Sequence, residues 1–174
     1  PDLIHVVSRL SQFNSHPHKE HFQAAKYVLR YLKKNPIGKI TFSSNFEKFE
    51  CFTDSDWGCD SIDRKSFSGH VLFMAGGPIA WESRKQPVVA LSTMEAEYIA
   101  LCQGTKEVVF HRGLLNEMGF DDYIVNPTPI LCDNQGAAFM VKNPTVHKKN
   151  MKIRILIYTT LHLMRMRQIY LQNV

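Results

Sequence analysis

The hydrophobic pattern switches repeatedly between helical and strand period along the chain, and each switch marks the start of a new element. Leu3, Val6, Val7, Leu10 and Phe13 recur at helical spacing and predict a short helix over 3–13. Pro17 suits the first turn of a second helix, which runs through Phe22, Tyr27, Val28, Tyr31 and Leu32. Lys33 and Lys34 favour its C-terminus, and Asn35-Pro36 stops it. From Ile40 the pattern becomes that of strands. Phe46, Phe49, Cys51 and Phe52 supply aromatic-rich strand content that ends on Asp54. A second strand covers about 68–74. Gly76-Gly77-Pro78 turns it into a third over 79–83, so three successive antiparallel strands are expected.

Ser92-Thr93-Met94-Glu95 reads as a capping box in which Glu95 reaches back to the Ser92 amide. It opens the longest helix, whose expected apolar stripe is Met94, Tyr98, Leu101, Cys102, Val108, Val109 and Leu115, with Gly119 as its stop. Ile130-Leu131-Cys132 is short enough to be a buried strand. Asp133-Asn134 then cap a helix over 135–141, stopped by Asn143-Pro144. A helix is expected over 148–166 and a final strand over 168–174. The boundary falls near residue 40. Residues 1–40 form a two-helix arm too small for its own core, and 41–174 form the main α/β domain. Deleting 1–38 is therefore expected to leave that domain folded.

The 174 residues suffice for one domain plus an attached piece, and 44% hydrophobic content marks a globular chain. No apolar run approaches the ~20 residues needed to span a bilayer, so no membrane partner is expected. The start has no signal-peptide pattern and no Met, which reads as a fragment or processed product. Cys51, Cys59, Cys102 and Cys132 lack any paired zinc spacing and suit reduced thiols, which with the missing signal peptide predicts an intracellular protein, in a cytoplasmic particle or the nucleus. A net charge of +5 and a pI of 9.1 permit a polyanion partner, and His147, Lys148, Lys149, Lys152, Arg154, Arg165 and Arg167 make the last quarter basic.

The acids carry the chemistry. Asp54 closes a strand, Glu97 lies near the start of a helix on its apolar face, and Asp133 follows a short apolar run. Each has an ordinary alternative: Asp54 as a turn former, Glu97 paired with a buried base, Asp133 as an N-cap. Asp56 and Asp60 suit turns or surface charge. Three carboxylates on three elements, without His or Cys partners, suit a hard cation, Mg²⁺ or Mn²⁺. Two such ions ~4 Å apart can activate a water and steady the leaving oxygen in phosphodiester cleavage.

Thr53-Asp54-Ser55-Asp56-Trp57, Asp63-Arg64-Lys65-Ser66-Phe67-Ser68-Gly69, Gly76-Gly77-Pro78-Ile79-Ala80-Trp81, Ser83-Arg84-Lys85-Gln86, Ala90-Leu91-Ser92-Thr93-Met94-Glu95-Ala96-Glu97-Tyr98 and Cys132-Asp133-Asn134-Gln135 follow one another as in one family. In that order they resemble the ribonuclease H domain of copia-type retrotransposon polyproteins. Arg9-Leu10, His21-Phe22 and Leu29-Arg30-Tyr31-Leu32-Lys33 resemble the tail of the preceding reverse transcriptase. The resemblance implies a ribonuclease H-like fold, a mixed five-stranded sheet flanked by helices. It implies two-metal hydrolysis of the RNA strand of an RNA–DNA hybrid, with Asp54, Glu97 and Asp133 as metal ligands and the rest of the polyprotein as a partner. Arg64, Lys65, Arg84, Lys85, Lys142 and Lys148 are expected on phosphates, with Gln86, Asn134 and Gln135 completing the nucleic-acid contacts. Three departures stand against this. The family carries a further Asp beyond the point where this chain stops. Lys152 and Arg154 replace its His and Asp, and Phe67 replaces a Thr. They predict, as the alternative, a truncated or decayed copy that folds and binds nucleic acid without catalysis.

Overall fold

The computed structural model describes residues 1–36, 38–43, 49–124, 127–142 and 155–159, the last segment, Tyr123 and Lys142 by backbone alone. Helices α1 (Ile4–Ser11) and α2 (Lys19–Lys34) precede the sheet strands β1 (Glu50–Asp56), β2 (Phe67–Met74) and β3 (Gly77–Lys85). The long helix α3 (Thr93–Glu117) follows, and a short 3₁₀ turn (Asp121–Tyr123) leads on to β4 (Thr128–Cys132), α4 (Gln135–Lys142) and β5 (Ile155–Thr159). The sheet order is β3-β2-β1-β4-β5. The first three strands pair antiparallel, and β4 and β5 add on in parallel. This is the mixed five-stranded, helix-flanked sheet of a ribonuclease H-like fold.

One strand lies where a helix was expected. Ile155–Thr159 pairs with β4 in register from Thr128↔Ile155 to Cys132↔Thr159. Its run of Ile, Leu, Ile, Tyr and Thr has the continuous apolar, β-branched character of a parallel strand covered on both sides. In so short a run, periodicity does not separate that from a buried helix. The remainder of the expected helix and the strand over 168–174 lie outside the described residues.

The buried face of α3 also differs from the expected stripe. Ala96, Glu97, Ala100, Leu101, Gly104 and Val108 are buried, whereas Met94, Cys102 and Val109 are exposed and Tyr98 and Leu115 are only partly covered. Size, not hydrophobicity, sets this face. A Cβ on Gly104 would collide with Thr53 Cγ2 on β1 and stand 3.3 Å from Cys51 Sγ. Close approach of helix to strand therefore requires glycine there, and an added methyl should cost about 1–3 kcal/mol by overpacking. Beneath this contact, Cys51, Leu72, Leu101, Val108, Ile130 and Ala137 belong to one core, which α3 and α4 cover.

Side chains alternate across a strand, so β1 sends Cys51 and Thr53 toward α3 and Phe52, Asp54 and Asp56 to the opposite face. The register puts Phe67 beside Asp56, and Ser83 beside Gly69, which itself pairs with Asp54. Helix α1 docks on that second face. His5 Nδ1 lies 3.1 Å from Ser83 Oγ, its ring meets Phe67 edge-on at 5.1 Å, and the Arg9 guanidinium sits 5.3 Å over the same ring. The two arm helices touch each other through Tyr31 Oη, which donates to Asp2 at 2.7 Å, and through Phe13 stacked on His21 at 3.8 Å. Helix α2 buries no residue and leaves Phe22, Tyr27, Leu29 and Leu32 exposed.

The arm thus divides into a docked helix and an exposed one. Deleting residues 1–12 uncovers Phe67 and should lower stability by on the order of 2 kcal/mol, with a cooperative transition retained. A thermal melt of the deletion variant checks this. An unchanged midpoint would mean that α1 contributes nothing to the sheet.

Candidate active site

Three element ends meet at one point. Ser92 Oγ accepts the Glu95 amide at 3.2 Å and so fixes the start of α3. Glu95 turns toward the helix start as expected, but its carboxylate takes the Leu91 amide at 2.7 Å, one residue before the N-cap. With the helix start set, Glu97 falls on the face that packs on the sheet. There the Ser55 amide donates to Glu97 Oε1 at 3.1 Å. At the end of β4, Asn134 caps α4: its Oδ1 accepts the Ala137 amide at 3.0 Å. The cap role open to Asp133 is therefore filled by its neighbour.

One carboxylate oxygen each from Asp54, Glu97 and Asp133 lies within 4.8 Å of the others. Glu97 is only 5% exposed, and the two aspartates are open to solvent. Burial pushes the Glu97 carboxyl up to about 7, and the charges of Asp54 and Asp133 push the same way, against the lowering effect of Ser55. At an effective dielectric of ~20, two ionised carboxylates this close repel by on the order of 3 kcal/mol. Glu97 Oε2 and Ser55 Oγ are buried, and neither has a hydrogen-bond partner among the described residues. An all-oxygen donor set with an orphaned buried oxygen fits a hard divalent cation, which relieves both the repulsion and the unsatisfied group. Ser55 was missed from sequence, although its place between two acids on a strand sends it to the α3 side.

The expected nucleic-acid contacts are placed unequally. Arg64 is exposed in the left-handed region (φ 57°), and Arg84 is exposed with Glu82 at 3.8 Å. Lys65 is half-buried, 4.0 Å from Asp63. Lys85 is committed elsewhere: its Nζ lies 2.7 Å from Asp60 and 3.0 Å from Asp63. That hydrogen bond, with the Ile62 amide, holds the Asp60 carboxyl down to about 2. Asp60 is thus the buried bracket of the loop after β1 and not a surface charge, and Lys85 is its counter-ion. Gln86 departs most from expectation. It is buried, and its side-chain amide donates to Ser68 Oγ at 2.8 Å and the Ala96 carbonyl at 3.0 Å, so it presents no surface to a ligand. Asn134 is occupied as a cap, Gln135 is exposed at the first position of α4, Lys142 is placed by backbone only, and Lys148 lies outside the described residues.

No protein-family model matches the chain. Over 157 residues it is 36% identical to the retrovirus-related Pol polyprotein from transposon TNT 1-94 of Nicotiana tabacum, covering 89% of this chain and 11% of that protein. Over 156 residues it is also 36% identical to the Pol polyprotein from transposon RE1 of Arabidopsis thaliana, covering 89% and 10%. The chain belongs to the copia-type retrovirus-related Pol polyproteins. It spans about a tenth of the length of these Pol relatives. It is also 42% identical over 111 residues to the secreted RxLR effector protein 161 of Plasmopara viticola, covering 63% of this chain and 78% of that protein. Among solved structures, LC11-RNase H1 in complex with an RNA/DNA hybrid aligns with a TM-score of 0.40 and 12% identity, over 64% of this chain and 83% of that one.

Folding raises the Glu97 carboxyl, so between about pH 4.5 and about pH 7 the folded Pol fragment holds a proton that the unfolded chain has lost. Its contribution is fully present below about pH 4.5 and is lost as pH rises through about 7. In chelator, stability should therefore fall across this window, by no more than about 3 kcal/mol. Urea titrations at stepped pH should show the fall in the native chain and a flatter profile in Glu97→Gln. A native chain that gains stability over the window would contradict the raised carboxyl.

Proposed function

We propose that this Pol fragment is a ribonuclease H that hydrolyses the RNA strand of RNA–DNA hybrids with two divalent cations, Mg²⁺ or Mn²⁺. The observation that carries the reading is the meeting of Asp54, Glu97 and Asp133 within 4.8 Å, from a strand end, a helix start and a second strand end. These three residues would hold the cations. Bound there, the cations supply an activated water and neutralise charge at the scissile phosphate. The chain's own residues do the rest. The Ser55 amide fixes the Glu97 carboxylate, while Asp54 and Asp133 face solvent where a strand can reach them. Arg64, Arg84 and Lys65 hold phosphates without reading bases, which suits a nuclease indifferent to sequence. In the full polyprotein the exposed face of α2 packs on the remaining reverse transcriptase.

A second reading, a folded remnant that binds without cutting, is favoured by Lys152 and Arg154 in place of the family's His and Asp. One experiment separates the two. A labelled hybrid incubated with Mn²⁺ should be cut internally in its RNA strand, and Asp54→Asn should slow this by about 100-fold or more. Arg84→Ala should reduce the salt slope of hybrid binding by about one unit with the melting midpoint unchanged. Lys85→Ala should instead lower the midpoint. Binding without cleavage would leave the remnant reading standing, and neither binding nor cleavage would refute both.

A further inference from the structure

The segment joining β3 to α3 is pinned along its length, yet it turns its apolar side chains outward. At its start the Gln86 amide donates to the Ser66 carbonyl at 2.8 Å, and the buried Gln86 side chain ties it to β2 and α3. At its end the Leu91 amide is held by Glu95. Between them Ala90 is buried, and its carbonyl accepts the Trp57 indole N–H at 3.0 Å. A loop anchored at three points has a fixed shape. Nevertheless Leu91 is 85% exposed, Val88 52%, Val89 46% and the Trp57 ring 45%.

Trp57 lies three residues after Asp54 and Leu91 six before Glu97, and the Trp57–Ala90 hydrogen bond joins the two stretches, so this surface continues from two of the elements that carry the cluster. The indole N–H is already satisfied, so the ring is oriented before anything binds. Exposed aromatic faces of this kind stack on nucleotide bases, and exposed aliphatic side chains pack on sugars and base edges. A cation completes the set: a Cβ on Gly58, next to Trp57, would stand 3.2 Å from Arg64 Nη2, which places the guanidinium at this rim. A polynucleotide brings phosphates to the Arg64 guanidinium at this rim, which a purely apolar protein segment would leave unpaired. We propose that Trp57 and Leu91 form a preset apolar ledge that seats the sugar and base faces of the bound strand, with Trp57 as a positioning residue that stacks. The proposal rests on the hybrid-binding reading and adds to it the residues that fix where the strand lies.

The test uses the full chain carrying Trp81→Phe, which leaves Trp57 as the sole tryptophan reporter. In chelator, adding hybrid should quench Trp57 emission and saturate at the concentration at which anisotropy of a labelled hybrid saturates. Trp57→Ala should weaken hybrid binding about 5- to 100-fold, Trp57→Phe much less. Leu91→Ser, at a side chain already in solvent, should weaken binding without moving the melting midpoint, so a fold defect in Trp57→Ala leaves the proposal testable. Hybrid that binds with no change in Trp57 emission and no loss in Leu91→Ser would overturn the ledge and leave the nuclease reading intact. Absence of hybrid binding would overturn both. If Leu91→Ser instead abolishes self-association while hybrid affinity stays constant, the ledge is a protein interface and the proposal fails.

Discussion

The site depends on how closely α3 lies against β1. Gly104 lets the helix backbone approach Thr53 and Cys51, and no larger residue fits without displacing a buried β-branched side chain. Glu97 is seven residues, about two turns, before Gly104 and therefore on the same face. The contact fixes that face on the strand and brings Glu97 Oε1 to the Ser55 amide, beside Asp54. Strand β4 pairs parallel to β1 through Cys51↔Ile130 and Phe52↔Leu131, and it ends where Asp133 completes the group. Without the close approach the three acids would be separate surface charges. With it, one of them is buried, raised to about 7 and left with an unsatisfied oxygen.

Much of this was legible in the sequence because local chemistry and tertiary position agree. The capping box at Ser92–Glu95 fixes the helix start, and a strand ending in acids cannot bury them without compensation, so the order of Asp54, Glu97 and Asp133 along the chain was suggestive, while their choice as a set came from the family resemblance. Legibility failed where packing overrides pattern. The buried face of α3 holds the expected Leu101 and Val108, but also Ala96, Ala100 and Gly104, which a search for large apolar residues passes over in favour of Met94 and Val109. The parallel strand Ile155–Thr159 reads as a helix because its short apolar run lacks the alternation that marks a strand. Gln86 and Lys85 looked like surface ligands, yet one is buried under α3 and the other neutralises Asp60. Polar residue type does not reveal which partner lies in reach.

The second face of the sheet gives the chain its functional asymmetry. Helices α3 and α4 close one side, and α1 covers part of the other through His5, Arg9 and Phe67. Beyond the end of β1, the loop after it is braced by the Asp60–Lys85 pair and by the Gly58 amide on Ser66 Oγ at 3.0 Å. The connection into α3 is braced by Gln86, Trp57 and Glu95. These braced connections on both sides of the acids hold the three carboxylates in place before any ligand arrives.

If this packing builds one divalent-cation site from Asp54, Glu97 and Asp133, a bound cation stabilises the fold. The direct measurement is the thermal midpoint of the whole chain as Mg²⁺ or Mn²⁺ is titrated in, at a pH above the Glu97 value. The account predicts a saturable rise, worth about 2.7 kcal/mol when the cation reaches a hundredfold excess over its dissociation constant. The rise should vanish in Glu97→Gln and in Asp133→Asn, both of which should still fold cooperatively. A rise of equal size in those variants, or none in the native chain, would contradict the account.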